Sequence, residues 1–381
     1  MALLWLIYAT FGLIVRSIFP LVTPILEDLK ISYTRMGFIL GSWQLTYILV
    51  ALWIGTVIDK WGVRKTLFAG ALIMGGSTLL RHFAYNFETM LLYVALFGAG
   101  GPMISISGPK TISEWFIGRS RGTAIGLYMT GPWIGGLIAL SLTNSVVMPL
   151  TGDSWRLTFA CYGIVTMMIG VLWISLAKES NLSSSADETG TIEVFRHLIS
   201  VRNVQVLLIM ALLSFTIGHG FSSWLPKILE NGGFSAAKAG FAASIPIATG
   251  IPTLILIPRL TPPGLRGRFI ALFALMTAVI LLITVNVSGS LLVTGLLLLG
   301  FFNSAFMPLM LLILMDSPEV GTRYMGSAGG MFFCVAEIGG FTGPLIMGIL
   351  FDITGTFLTG VAFLSVLCIA ISIMTYFIRS L

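Results

Sequence analysis

Charge is scarce in this sequence. Only 9% of its 381 residues are Asp, Glu, Lys or Arg, where soluble domains carry about 25%. So few charged side chains cannot cover a water-soluble globule. Histidine and cysteine are nearly missing, with three of each. Cys161, Cys334 and Cys368 all fall within apolar runs. That pattern argues against a disulfide framework or a thiolate metal site and leaves packed, free thiols. No His-Glu-x-x-His run and no Walker A loop occurs, which disfavours a zinc hydrolase and ATP-driven transport. No nucleophile–base set stands out, so a membrane-embedded enzyme is a weak reading and no cofactor is expected. A sensor would need an output domain that these residues do not supply.

What is abundant is apolar. Hydrophobic residues make up 56% of the chain, and mean hydropathy is +0.99. The apolar runs are near-continuous rather than alternating, which favours transmembrane helices over an outer-membrane barrel. Twelve spans of about 20 residues need roughly 240 residues, which this length accommodates with short loops. The first residues lack the basic start of a signal peptide and run directly into an apolar segment, so they are read as an uncleaved first helix.

The spacing of the runs predicts an all-α membrane protein of twelve helices in two six-helix halves. Helices 1–6 fall at about residues 2–24, 36–58, 66–83, 89–110, 122–147 and 153–177. Helices 7–12 fall at about residues 204–224, 239–257, 268–286, 290–314, 324–350 and 356–378. The halves are residues 1–177 and 204–381, joined by a polar cytoplasmic linker over 178–203 with an amphipathic piece. With both termini inside, fourteen Lys/Arg lie on inner segments and six on outer ones. That excess has the sign the positive-inside rule requires, and it accounts for the net charge of +6 without nucleic acid.

Few ionisable residues remain within the spans. A charge at mid-bilayer costs at least about 2.5–3.5 kcal/mol, so such residues face a partner or a water-filled cavity. Arg16 lies about 21 Å along helix 1. Ala9 and Gly12, on its helical face, leave room beside it. Its planar fork matches a carboxylate, which makes it the candidate anion ligand; pairing with Glu337 is the structural alternative. Glu337 lies about 21 Å into helix 11, and a carboxyl in apolar surroundings is suited to carry a proton. His219, in helix 7, could carry a proton or donate to the anion. Gln44, Tyr47, Trp133 and Asn303 are the further candidates for substrate binding. Each also has a bland role as interhelical glue or packing.

Three patterns carry a family resemblance. Gly55-Thr-Val-Ile-Asp59-Lys60-Trp-Gly62-Val-Arg64-Lys65-Thr66 is a basic, glycine-bearing turn between helices 2 and 3. Arg119-Ser-Arg121-Gly122 leads into helix 5, and Gly131-Pro132-x-x-Gly135-Gly136 lies within it. Together they resemble the major facilitator superfamily, most closely in the first pattern. The resemblance implies alternating access around a central cavity lined by helices 1, 4, 7 and 10, with helix 11 flanking it. It implies an inner gate in which Asp59, Arg64 and Lys65 latch against helix 11. Gly55, Arg121, Gly131 and Pro132 are gating candidates on the same ground. The family's frequent helix 4 Arg has no match between Thr89 and Ser107. Arg16 followed by Pro20, Pro24 and Glu27-Asp28-Leu29 is similar to bacterial anion permeases of the cyanate and nitroimidazole type.

The expected protein is therefore a proton-coupled carrier of a small organic or inorganic anion. Its partners are that anion, protons and the lipid bilayer of a bacterial inner membrane, where it is expected to act as a monomer. A drug/proton antiporter, suggested by the helix 5 Gly-Pro pattern, is the rival reading.

Overall fold

The computed structural model describes residues 1–116, 119–177 and 191–378. Every regular element among them is helical. Among the described residues, eleven helices are long and apolar enough to cross a membrane. One of them, Tyr33–Phe83, runs 51 residues, about 76 Å of helix and far more than a bilayer core requires. Gly62 divides it, with φ 75° and ψ 161°, so helix 2 covers 33–61 and helix 3 covers 63–83. That division restores the expected twelve.

The remaining spans are helix 1, Ala2–Leu29, helix 4, Phe87–Ser113, helix 5, Ser120–Leu150, and helix 6, Trp155–Leu176. Then come helix 7, Arg202–Asn231, helix 8, Ala236–Leu260, helix 9, Pro263–Thr284, and helix 10, Gly289–Asp316. Helix 11, Tyr324–Thr354, and helix 12, Phe357–Phe377, complete the set. A short helix, Thr191–Ser200, precedes helix 7. The rest of the expected linker, 178–190, lies outside the described residues.

Local chemistry sets the ends. The Ser32 hydroxyl accepts from the Arg35 amide at 3.2 Å and caps helix 2. Asn86 and Thr89 close a reciprocal capping box at helix 4. Ser154 caps helix 6 and Thr356 caps helix 12 in the same manner. Gly355, at φ 72°, ends helix 11 in the left-handed conformation glycine favours.

The turn between helices 2 and 3 is tighter than the sequence suggests. Asp59, Lys60 and Trp61 remain helical, and the reversal is concentrated at Gly62. Its backbone angles lie in a region essentially restricted to glycine, where a side chain costs of order 1–3 kcal/mol. Gly62→Ala should lower the detergent-solubilised melting midpoint accordingly. Gly55→Ala, whose new Cβ meets nothing within 4 Å among the described residues, should not. Equal midpoints for both variants would show that the turn relaxes without strain.

The surface is what a lipid-facing bundle requires. Leu49, Trp53, Leu92, Met168, Leu291 and Val366 are all exposed. Apolar surface on this scale would be a liability in water and is at home among acyl chains. The thiols divide three ways: Cys368 is buried, Cys334 half-buried and Cys161 exposed, so the last is not packed as expected.

The chain resolves into two compact units, Met1–Ser184 with Ser223–Ser244, and Ser185–Ser222 with Ile245–Leu381. These limits depart from chain order in helices 7 and 8. The ring of Trp224 stacks on Tyr33, with centroids 5.6 Å apart. A Cβ on Gly240 would fall 2.4 Å from the Leu140 carbonyl oxygen. Asn144 donates to the carbonyls of both Pro20, at 2.9 Å, and Ala236, at 3.3 Å. These contacts tie the end of helix 7 and the start of helix 8 into the first unit.

Candidate functional site

In the first unit, helix 1 and helix 5 lie against each other along a glycine seam. A Cβ on Gly12 would fall 2.0 Å from the Pro132 carbonyl oxygen, and one on Gly135 only 1.9 Å from that of Ala9. Gly131 also faces helix 1, with a Cβ position 3.1 Å from the Ala9 amide nitrogen. Small residues permit this approach of two backbones. The space that Ala9 and Gly12 leave is therefore filled by helix 5, not left open beside Arg16.

Arg16 emerges where this seam ends. Its side chain crosses Gly136, whose Cβ would fall 2.4 Å from Arg16 Cδ. The guanidinium donates through Nη1 to the Pro132 carbonyl at 3.3 Å. Among the described residues no salt bridge joins it to a carboxylate. It is half-buried rather than sealed. A guanidinium has five N–H donors, so this long bond leaves most of its capacity for an incoming oxyanion.

The neighbouring candidates are placed unevenly. Gln44 is 1% exposed, inside the packing of helix 2. The Tyr47 hydroxyl lies 2.7 Å from Ser105 Oγ on helix 4. Trp133 is half-buried one turn before Gly136.

The second unit repeats the seam between helices 7 and 11. A Cβ on Gly339 would fall 2.0 Å from the Leu212 carbonyl oxygen, and one on Gly343 2.4 Å from that of Thr216. Glu337 stands two residues before Gly339. Its Oε2 atom is buried and has no hydrogen-bond partner among the described residues. Asn303 reaches helix 7, where its Nδ2 lies 3.8 Å from a Cβ position on Gly218, the residue before His219. Asn303 Oδ1 is buried without a partner among the described residues. The His219 ring lies 5.5 Å from that of Phe215. Buried polar atoms left unmatched are costly and uncommon, which sets Glu337 and Asn303 apart from the packing around them.

The gating candidates are also built into their unit. Asp59 Oδ1 accepts from Lys110 Nζ at 2.8 Å, joining the end of helix 2 to helix 4. Arg64 donates to the Ile174 carbonyl. The Trp173 indole returns a bond to the Arg64 carbonyl at 3.0 Å, pinning the turn to helix 6. Arg121 donates to the Ser113 carbonyl at 3.0 Å, and Lys65 is exposed.

Several residues stand out only in three dimensions. Arg266, at the start of helix 9, pairs with Asp316 at the end of helix 10. It also donates to the Leu312 carbonyl at 3.2 Å. The second half thus has a counterpart to the Asp59–Lys110 pair with the signs exchanged. Arg81, placed by sequence at a helix end, is 2% exposed. Its guanidinium sits over the rings of Phe159 and Phe97, at 5.1 and 5.9 Å. Glu230 accepts from the Thr23 hydroxyl. Only the clustering of helix ends reveals this last contact.

Comparison with known proteins places this architecture. Residues 4–344 match the Major Facilitator Superfamily. The chain is 24% identical over 367 residues to a hexuronate transporter of Bacillus subtilis, covering 90% of this chain and 85% of that protein. It is 22% identical over 357 residues to a D-galactonate transporter of Escherichia coli, covering 85% and 82%. A quinolone resistance transporter of Acinetobacter baumannii is 25% identical over 391 residues, covering 92% and 86%. Among solved structures, a D-xylose–proton symporter superposes with a TM-score of 0.83 at 15% identity, covering 100% of this chain and 97% of that one. This last likeness concerns the fold alone.

Proposed function

The chain belongs to the major facilitator superfamily, which makes it a multi-pass secondary transporter and not an enzyme, and we propose that it carries small organic anions, coupled to protons, across the bacterial cytoplasmic membrane by alternating access. The observation that carries the reading is the half-buried Arg16 guanidinium, held by one long bond and joined to no acid among the described residues. A cation kept within apolar spans at such cost needs a task, and a carboxylate supplies the missing partner. The relatives named for hexuronate and D-galactonate support an organic acid as cargo. They do not favour the cyanate and nitroimidazole branch in particular.

In this reading Arg16 holds the carboxylate, and Glu337 takes up and releases the coupled proton. His219 and Asn303 are further candidate donors, and the turn bearing Asp59 and Arg64 moves with the inner gate. Glu337→Gln removes the exchangeable proton and keeps the shape. In proteoliposomes it should abolish uptake driven by a pH gradient while preserving exchange of internal for external anion. Unchanged gradient-driven uptake would remove Glu337 from the coupling step.

The quinolone resistance relative keeps a second reading in view, export of lipophilic drugs. The two part at Arg16. A drug exporter should move lipophilic cations equally well after Arg16→Ala, whereas an anion carrier should lose its cargo.

A further inference from the structure

Arg81 is the most deeply buried charged side chain among the described residues. It is 2% exposed, against 9% for both Arg266 and Glu337. A long cation at the end of a span ordinarily reaches out for water. This one turns inward, between helices 4 and 6. Its guanidinium carbon stands 5.1 Å from the ring centre of Phe159 and 5.9 Å from that of Phe97. Phe97 itself lies about 15 Å along helix 4 from Phe87.

Other arginines show what a matched guanidinium looks like here. Arg266 pairs with Asp316, and Arg156 pairs with Asp28 at 2.6 Å. Arg64 and Arg16 each donate to a backbone carbonyl. Arg81 has no such oxygen. Among the described residues its guanidinium makes no hydrogen bond and no ion pair, and its Nε atom is sealed without a partner. The two rings attract the charge, but neither accepts any of the five N–H groups as an oxygen would.

A guanidinium keeps its charge where an amine or a carboxyl would give it up. A charge taken out of water without a counter-charge or hydrogen bonds is strongly disfavoured. Water could accept from the N–H groups but would bring no counter-charge. An anion supplies both. The two Nη atoms are not sealed as Nε is, so the tip of the fork meets a small open space. With so little of the residue exposed, that space suits a monatomic ion better than a branched oxyanion.

We propose that Arg81 forms a buried halide site. One anion of chloride size bonds to its Nη groups and supplies the counter-charge where helices 3, 4 and 6 meet. This site is separate from the one assigned to the cargo at Arg16 and does not depend on it.

The test is thermal melting of the purified full chain in detergent, in sodium chloride, sodium bromide and sodium methanesulfonate at equal ionic strength. At about 150 mM, each halide should raise the midpoint above that in methanesulfonate by about 3 °C or more. The shift should persist in Arg16→Gln and vanish in Arg81→Met. If Arg81→Met does not fold, bromide in crystals of the unmutated protein decides. An anomalous peak within hydrogen-bonding distance of the Arg81 Nη atoms supports the site, and no peak there overturns it. Equal midpoints in the three salts would also overturn it, and so would a halide shift that survives Arg81→Met. A shift lost in Arg16→Gln and kept in Arg81→Met would move the halide to the cargo site, overturning the role of Arg81 while leaving the anion reading in place.

Discussion

Arg16→Ala should abolish concentrative uptake of the anion and weaken its binding by roughly 30- to 150-fold, the loss of about 2–3 kcal/mol expected for a charge-assisted contact. Arg16→Lys keeps the charge but loses the planar fork and should fall between, about tenfold weaker than the unmutated protein. The structure separates this effect from a folding defect. Arg16 contributes one hydrogen bond, at 3.3 Å, to the Pro132 carbonyl. Removing a partly buried charge with no acid partner among the described residues relieves a desolvation cost. The ligand-free melting midpoint of Arg16→Ala should therefore stay level or rise while transport is lost. A protein that melts markedly lower without ligand would assign Arg16 to architecture. Binding by centrifugal filtration and melting in detergent check both arms.

The second large effect is steric. Gly135→Val places a branched side chain where even a Cβ would lie 1.9 Å from the Ala9 carbonyl oxygen. No rotamer relieves a clash between two backbones, so helices 1 and 5 must separate along their seam. The cost should reach or exceed the upper part of the 1–3 kcal/mol typical of overpacking. Gly339→Val should do the same to helices 7 and 11, where the Cβ would lie 2.0 Å from the Leu212 carbonyl oxygen. Gly126→Ala, on the same helix as Gly135, is the control. Its Cβ meets nothing within 4 Å among the described residues, so the folded yield should hold. Size-exclusion profiles and melting midpoints of the three variants test the seam. Well-folded Gly135→Val would show that the close approach is not required.

Span positions were legible because apolar length is a strong signal in lipid. The end of helix 7 was not. Pro226, Lys227 and Glu230 read as loop, yet the helix continues to Asn231, with Trp224 stacked on Tyr33 and Glu230 bonded to Thr23. Tertiary contacts that distant in sequence leave no local periodicity. The Arg266–Asp316 pair escaped for a related reason. Its two members stand 50 residues apart, at the start of helix 9 and the end of helix 10. Spacing correctly placed Arg16 among small residues, but only the packed helices show that those small residues seat helix 5.

Thermal stabilisation of the purified protein by a panel of small ligands, in the unmutated chain and in Arg16→Ala, tests the central claim most directly. Organic carboxylates should raise the melting midpoint of the unmutated protein by several degrees, as binding linkage requires, and leave Arg16→Ala unmoved. Stabilisation by lipophilic cations alone, or by carboxylates equally in both proteins, would contradict an anion carrier built around Arg16.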